Sequence, residues 1–137
     1  MLDIENYVVN YIQNAFADAG MTVLVDSVYQ PFPKEFPCVM VQETQSVPIN
    51  FTDDLEELHK RVTYQIDVIV SEAPIKQNCL KYMEVADKAM RDMKFTRSDY
   101  DISTSEDVTM AWGTMRYSAT VGKPIQNGDD WVYQMYR

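Results

Sequence analysis

The side chains that could do chemistry fall in three places. His59, the single histidine, follows two glutamates in the run EELHKR, where a neighbouring carboxylate could in principle tune it as a general base. A working base also needs a group that orients its ring and a reacting partner within hydrogen-bond reach. Nothing near His59 in sequence supplies either, so it reads as a surface residue at the entrance of a strand. Asp53, Asp54, Glu56 and Glu57 offer oxygen ligands to a hard cation, but their segment lacks the glycine and the regular ligand spacing of an EF-hand. They read as a solvated or interfacial acidic loop. The third place is Ser98-Asp99-Tyr100-Asp101, a D-x-D pattern that the exposed face of a strand produces without any ligand role. With four glycines the chain contains no phosphate loop, dinucleotide fingerprint or nucleophile elbow. The expectation is a protein without catalytic residues, metal or cofactor.

The elements that must position these residues are legible from periodicity. Ile4, Val8, Tyr11, Ala15 and Ala19 recur at helical spacing, with Ile12 and Phe16 widening the stripe, Asp3 as candidate cap and Gly20 as stop. Thr22 to Val28 reads as a short strand, followed by a proline-rich loop from Tyr29 to Pro37 that cannot donate a regular ladder. Cys38 to Val41 is apolar on both faces, as in a strand covered on two sides, and continues into Gln42 to Gln45. Val47 to Leu58, with Pro48 and four acids, predicts a long exposed loop.

Val62, Tyr64, Ile66, Val68 and Val70 alternate with polar residues, which is a strand with one buried face, and Ile69 is the one apolar residue on the other side. Ile75, Cys79, Met83, Ala86, Met90 and Met93 step by three or four along one side of a second helix, with Lys88, Arg91 and Lys94 near its negative end. In the last long strand Val108, Met110 and Trp112 share one parity and Met115, Tyr117, Ala119 and Val121 the other, so a bulge or bend is expected at Gly113. Beyond the turn residues Asn127-Gly128, the aromatic tail WVYQMY can add a terminal strand. The order predicts an α+β fold, a mainly antiparallel sheet with two amphipathic helices on one face.

At 137 residues one domain spanning 1–137 is expected, with 123–137 as a C-terminal assembly tail. A net charge of -9 argues against a surface that wraps nucleic acid, which needs clustered Lys and Arg to neutralise phosphates. Cys38 and Cys79 have neither metal-ligand nor disulfide-framework spacing and read as reduced core residues. The opening MLDIENY carries acids where a signal peptide carries positive charge, and no run is long enough to span a bilayer, so a cytoplasmic protein without a membrane partner is expected. Nine methionines and nine tyrosines are consistent with core filler and, for Trp131, Tyr133 and Tyr136, with a docking strand for a neighbouring subunit.

The opening helix, PFPKEFPCVMVQE, HKRVTYQIDVIVSE, the helix ending ADKAMRDMKF and the closing MRYSATVG together resemble the tail terminator and tail completion proteins of long-tailed bacteriophages. That resemblance implies a virion structural protein without enzymatic activity, assembled in the host cytoplasm. It implies a homo-oligomeric ring, commonly hexameric, that caps the tail tube, ends its growth and joins it to the neck. Its partners would be the major tube protein and neck or adaptor proteins, with DNA passing through the lumen. Related head-completion and head-tail adaptor proteins on the portal side share the pattern and form the alternative. In such a ring an acidic lumen repels phosphate and lets DNA pass without being held. The acids available for it are Asp53, Asp54, Glu56 and Glu57, or those between Asp99 and Asp107. Phe32, Lys34, Phe36, Phe51, Trp131, Tyr133 and Tyr136 are the candidate interface residues.

Overall fold

A computed structural model describes residues 4–27, 37–51, 57–127 and 130–136. The elements run α1 (Glu5–Asp18), β1 (Leu24–Asp26), β2 (Cys38–Phe51), β3 (Glu57–Val70), α2 (Ile75–Asp92), β4 (Thr96–Thr104), β5 (Ala111–Asn127) and β6 (Asp130–Tyr136). The sheet has the order β1-β2-β3-β5-β4, with β6 also paired to β5. Only the β1–β2 pair is parallel. This is the expected α+β fold, dominated by its sheet.

Both helices cover one face of the sheet. In α1 the row Ile4, Val8, Ile12 and Phe16 is buried, so the centre of the stripe is the i, i+4 row, and Tyr11 and Ala19 lie on its exposed flank. Each of these four side chains contributes about 2 kcal/mol of burial. In α2 the expected stripe is buried throughout, from Ile75 to Met90, with Met93 just beyond the helix. Beneath them β3 presents Val62, Tyr64, Ile66, Val68 and Val70, and β5 presents Met115, Tyr117, Ala119 and Val121. The alternation that predicted β3 is thus its helix-facing side.

Both helices stop by the same device. Gly20, at φ 72°, donates its N–H to Ala17 O and Met21 donates to Phe16 O, the paired bonds that close a helix through one left-handed residue. At the end of α2, Lys94 takes that position at φ 75°, with bonds from Lys94 to Arg91 O and from Phe95 to Met90 O. The turn delivers Phe95 into the core, where its ring meets Tyr64 edge-on at 5.5 Å. Asp3, the candidate cap of α1, lies outside the described residues, as does most of the proline-rich loop. Pro37, at the end of that loop, accepts a hydrogen bond from Leu24 N.

Three expectations need correction. Val47 to Leu58 is not a loop along its length: Val47–Phe51 completes β2 and Glu57–Leu58 opens β3, in a long antiparallel hairpin with register shifts at Glu43/Gln45, Pro48/Asn50 and Asn50/Phe51. Its middle, 52–56, lies outside the described residues. Thr44 to Pro48 is exposed, so burial does not impress an alternating hydrophobic pattern on this stretch of β2. Gly113 makes no bulge, because β3 and β5 stay in register through Val68↔Gly113. The change of parity arises because Val108 and Met110 belong to the β4–β5 turn and the strand begins at Ala111. Gly113 is glycine for want of room: a Cβ there would meet Met83 Sδ, with Cys79 Sγ at 3.1 Å. His59, expected as a surface residue, is half-buried; it is the third residue of β3, in register with Asn50 and Gly122.

The opposite face of the sheet carries a smaller core of Cys38, Met40 and Ile69, flanked by Leu24 and Trp112, which accounts for the two-sided apolar character of Cys38 to Val41. Both cysteines are free and buried. Burial pushes the Cys38 thiol up, helped by the charge of Asp26, and pushes Cys79 up to about 11. Neither thiol should react with Ellman's reagent at pH 8 in the native protein, and both should react at the rate of unfolding when denaturant is added. Rapid stoichiometric labelling of the native fold would contradict this burial.

Candidate functional site

Two carboxylates are held inside the described fold, one on each side of the sheet. Asp87 lies on the flank of α2 that faces β4 and is only 7% exposed. Its Oδ1 accepts from the Tyr117 hydroxyl at 2.7 Å and from Arg97 at 3.3 Å, and Arg91, one helical turn on, reaches Oδ2 at 2.8 Å. Burial first, and the adjacent Asp87 second, push the Tyr117 phenol far above its usual value. The group therefore ties α2 to β4 and β5 and is locked in its neutral phenol form. Asp67, on the helix-free face of β3, accepts from Trp112 Nε1 at 3.0 Å, Thr114 Oγ1 at 2.6 Å and Gln65 Nε2 at 3.0 Å. Each carboxylate accepts from three protein donors, so both networks tie neighbouring elements of the fold together. Among the described residues no group of three or more His, Cys, Asp or Glu is placed to hold a metal ion.

The open features are edges and tips. β4 pairs with β5 alone, and six of its nine residues, Thr96 to Asp101, form an unbroken exposed run. Arg97 stacks over the Tyr100 ring at 5.1 Å, and Arg116 pairs with Asp99 at 2.9 Å across the strands. Such exposed pairs are worth well under about 1 kcal/mol each, so they dress the edge without sealing it. On the other side of the sheet β1 covers β2 only at Cys38–Met40, and among the described residues no strand pairs with the outer edge of β2 beyond that point. Thr44 to Pro48 is exposed along it.

Exposed apolar groups concentrate on the β4 side. Tyr100 is 57% exposed, Val108 65%, Met110 36% and Leu80, on the same flank of α2 as Asp87, 37%. Tyr11 and Val47 are the other large exposed apolar side chains among the described residues. Tyr11 borders an open cleft of about 510 Å³ between the two helices, floored by Ala15, Val85 and Ala89.

Of the residues singled out from sequence, Phe32, Lys34, Phe36, Asp53, Asp54 and Glu56 lie outside the described residues. Phe51 and Glu57 face each other in register at the far end of the β2–β3 hairpin. Trp131, Tyr133 and Tyr136 stand on β6 opposite Gln126, Pro124 and Thr120. The fold thus brings Tyr136 close in register to the start of β4, since Thr96 pairs with Ser118, two residues before Thr120 on β5. Asp99 and Asp101 are on the exposed edge strand, as an alternating acidic pattern implies.

Sequence reasoning missed Asp87, Asp67 and Val108. The only sequence signal for Asp87 is its i, i+4 spacing to Arg91, and that pattern normally marks a solvated helix face. No helix of the described structure is long and apolar enough to cross a membrane. A scan against protein-family models and a search of the curated proteins both found no match.

Proposed function

We propose that the chain is a ring-forming structural subunit at the head-proximal end of a phage tail tube, ending tube growth and joining tail to neck. The observation that carries this reading is the pair of open edges. In the order β2-β3-β5-β4 each strand is antiparallel to the next, so β2 and β4 run in opposite directions. A second copy set with its β2 beside β4 continues the antiparallel ladder, and its own β4 is then open for a third. This is a heterologous contact that closes into a ring when its rotation divides a full turn. The resemblance of the long strands and intervening helix to tail terminator proteins supports the same reading. An acidic balance of -9 suits a channel wall that DNA passes without being held.

Light scattering should give a discrete oligomer, or negative-stain microscopy should show a ring on the ends of purified tail tubes. Tyr100→Lys, an exposed change on the edge, should keep the melting temperature and weaken self-association at least tenfold. A protein that stays monomeric with and without tubes sinks the reading. Binding to portal-side proteins but not to tubes would move it to a head-completion role.

A further inference from the structure

The two open edges of the sheet carry opposite charges at the same level. Glu43 is the single charged residue of β2 between Val41 and Phe51, and Arg97 is the single cation of β4. Both belong to one row that crosses the sheet, in which Glu43 is in register with Tyr64, Tyr64 with Tyr117 and Tyr117 with Arg97. Both also lie on the helix-covered side, since Tyr64 and Tyr117 belong to the core beneath the helices and Arg97 reaches Asp87 on α2. Neither charge is fully met within its own chain. Glu43 Oε1 is buried and has no hydrogen-bond donor among the described residues, with the buried Lys60 ammonium standing off at 3.7 Å. Arg97 makes one carboxylate contact, the long bond of 3.3 Å to Asp87, and its side chain, 41% exposed, leaves further guanidinium donors at the open edge.

We propose that a second copy of this chain docks its β2 edge against β4 in the register of this row, so that Glu43 of one copy pairs with Arg97 of the next. The inference rests on the ring reading and adds to it the register in which copies meet and the charges that set it. In that register the neighbouring row places Gln42 beside Asp99, so no carboxylate faces another across the contact. A slip of one residue toward the β4–β5 turn sets Glu43 beside Asp99 and turns the helix-covered faces to opposite sides. In a chain of net charge -9 most misplaced contacts bring acids together, so one cation at the edge discriminates between registers. β1 already occupies the outer side of Cys38–Met40, so the pairing starts at Val41, and β4 leaves the ladder beyond Tyr100, which stands in the row of Val41. Past Thr96 the same edge is continued by β6, because β5 pairs with β4 up to Ser118 and with β6 from Thr120. The free stretch of β2 thus meets one composite edge made of β4 and β6.

Glu43→Cys and Arg97→Cys combined in one chain test the register. Within a chain the two positions are three strand spacings apart, about 14 Å, whereas a disulfide needs Cα atoms within about 7 Å. Any bond between them therefore joins copies. Mild oxidation of the double variant, alone or on purified tail tubes, should give a ladder of covalent oligomers on a non-reducing gel that collapses on reduction. Gln42→Cys with Asp99→Cys, in the neighbouring row, should give the same ladder without touching Glu43 or Arg97, and it carries the test if the first variant does not fold. Glu43→Cys with Thr104→Cys, and wild type with its two buried thiols, should stay uncross-linked. Arg97→Gln, which keeps a donor for Asp87, should weaken self-association roughly tenfold, and wild-type association should weaken as salt rises. Oligomeric wild type with no ladder from either in-row pair overturns the proposal and leaves the ring reading standing. Unchanged affinity of Arg97→Gln overturns the ion pair. Wild type that stays monomeric with and without tubes ends the ring reading and this register with it.

Discussion

Asp87→Ala should destabilise the protein by about 3 kcal/mol, lowering the melting temperature by roughly 10 °C for a chain of this size. The substitution leaves the buried Tyr117 hydroxyl, which donates to Asp87, with only the weak thioether acceptor Met115 Sδ at 3.1 Å. Arg91 and Arg97 lose the same partner but can turn to water, since their side chains are 62% and 41% exposed, and that puts the cost at the low end for a broken buried pair. Tyr117→Phe in the Asp87→Leu background should recover much of the loss, because both ends of the bond are then apolar. The alkaline arm separates the two partners. Tyr117 keeps its proton in the folded state well above the pH near 10 at which the unfolded chain gives it up. Its contribution is therefore fully present below pH 10 and is lost as the pH climbs further. Wild type should lose stability steeply above pH 10, and Tyr117→Phe should flatten that arm. Equal alkaline slopes in the two proteins would show that the phenol is not what titrates. Cys79 adds a smaller loss in the same direction between pH 9 and about 11.

Gly113→Val should cost about 3 kcal/mol, and Gly113→Ala less. The glycine faces α2 at the point where Cys79 and Met83 press on β5, and an added Cβ would collide with Met83 Sδ and crowd Cys79 Sγ. The thioether can swing aside at some cost in rotamer and packing, whereas a β-branched side chain forces the helix outward. Met83→Ala in the Gly113→Ala background should recover part of the stability by opening the space the new methyl needs. Urea melts of the two single variants and the pair measure the coupling, and simple additivity would mean that the crowding is not between these residues.

These two sites also mark where sequence is readable and where it is not. The stripe on α2 is legible because one helix face alone meets the sheet, so its apolar spacing records burial directly. β3 is legible for the same reason. Gly113 is opaque because a missing side chain looks alike at a bulge and under a helix, and which of the two applies depends on Met83, thirty residues away. The β2–β3 hairpin is misread beyond Val47 because its pairing is made by backbone groups, which every residue except proline supplies equally. Asp87 hides because the position that buries it is set by Arg97 and Tyr117 arriving from other elements. Of the candidate site, the acids at 99 and 101 on an exposed strand were readable by alternation.

The placement of β4 has a consequence for the order in which the sheet is built. β4 follows α2 in the chain yet is joined to the rest of the sheet solely through β5, whose partners on β3 lie between about 40 and 65 residues earlier. The β2–β3 hairpin can zip from its own turn, but β5 must close a long loop before it pairs, the slow kind of step. Until β5 docks, the segment that becomes β4 has nothing to lie against. A newly made chain therefore has the outer edge of β2 formed early and that of β4 only once β5 has docked, so the last part of the sheet to be completed is its far edge.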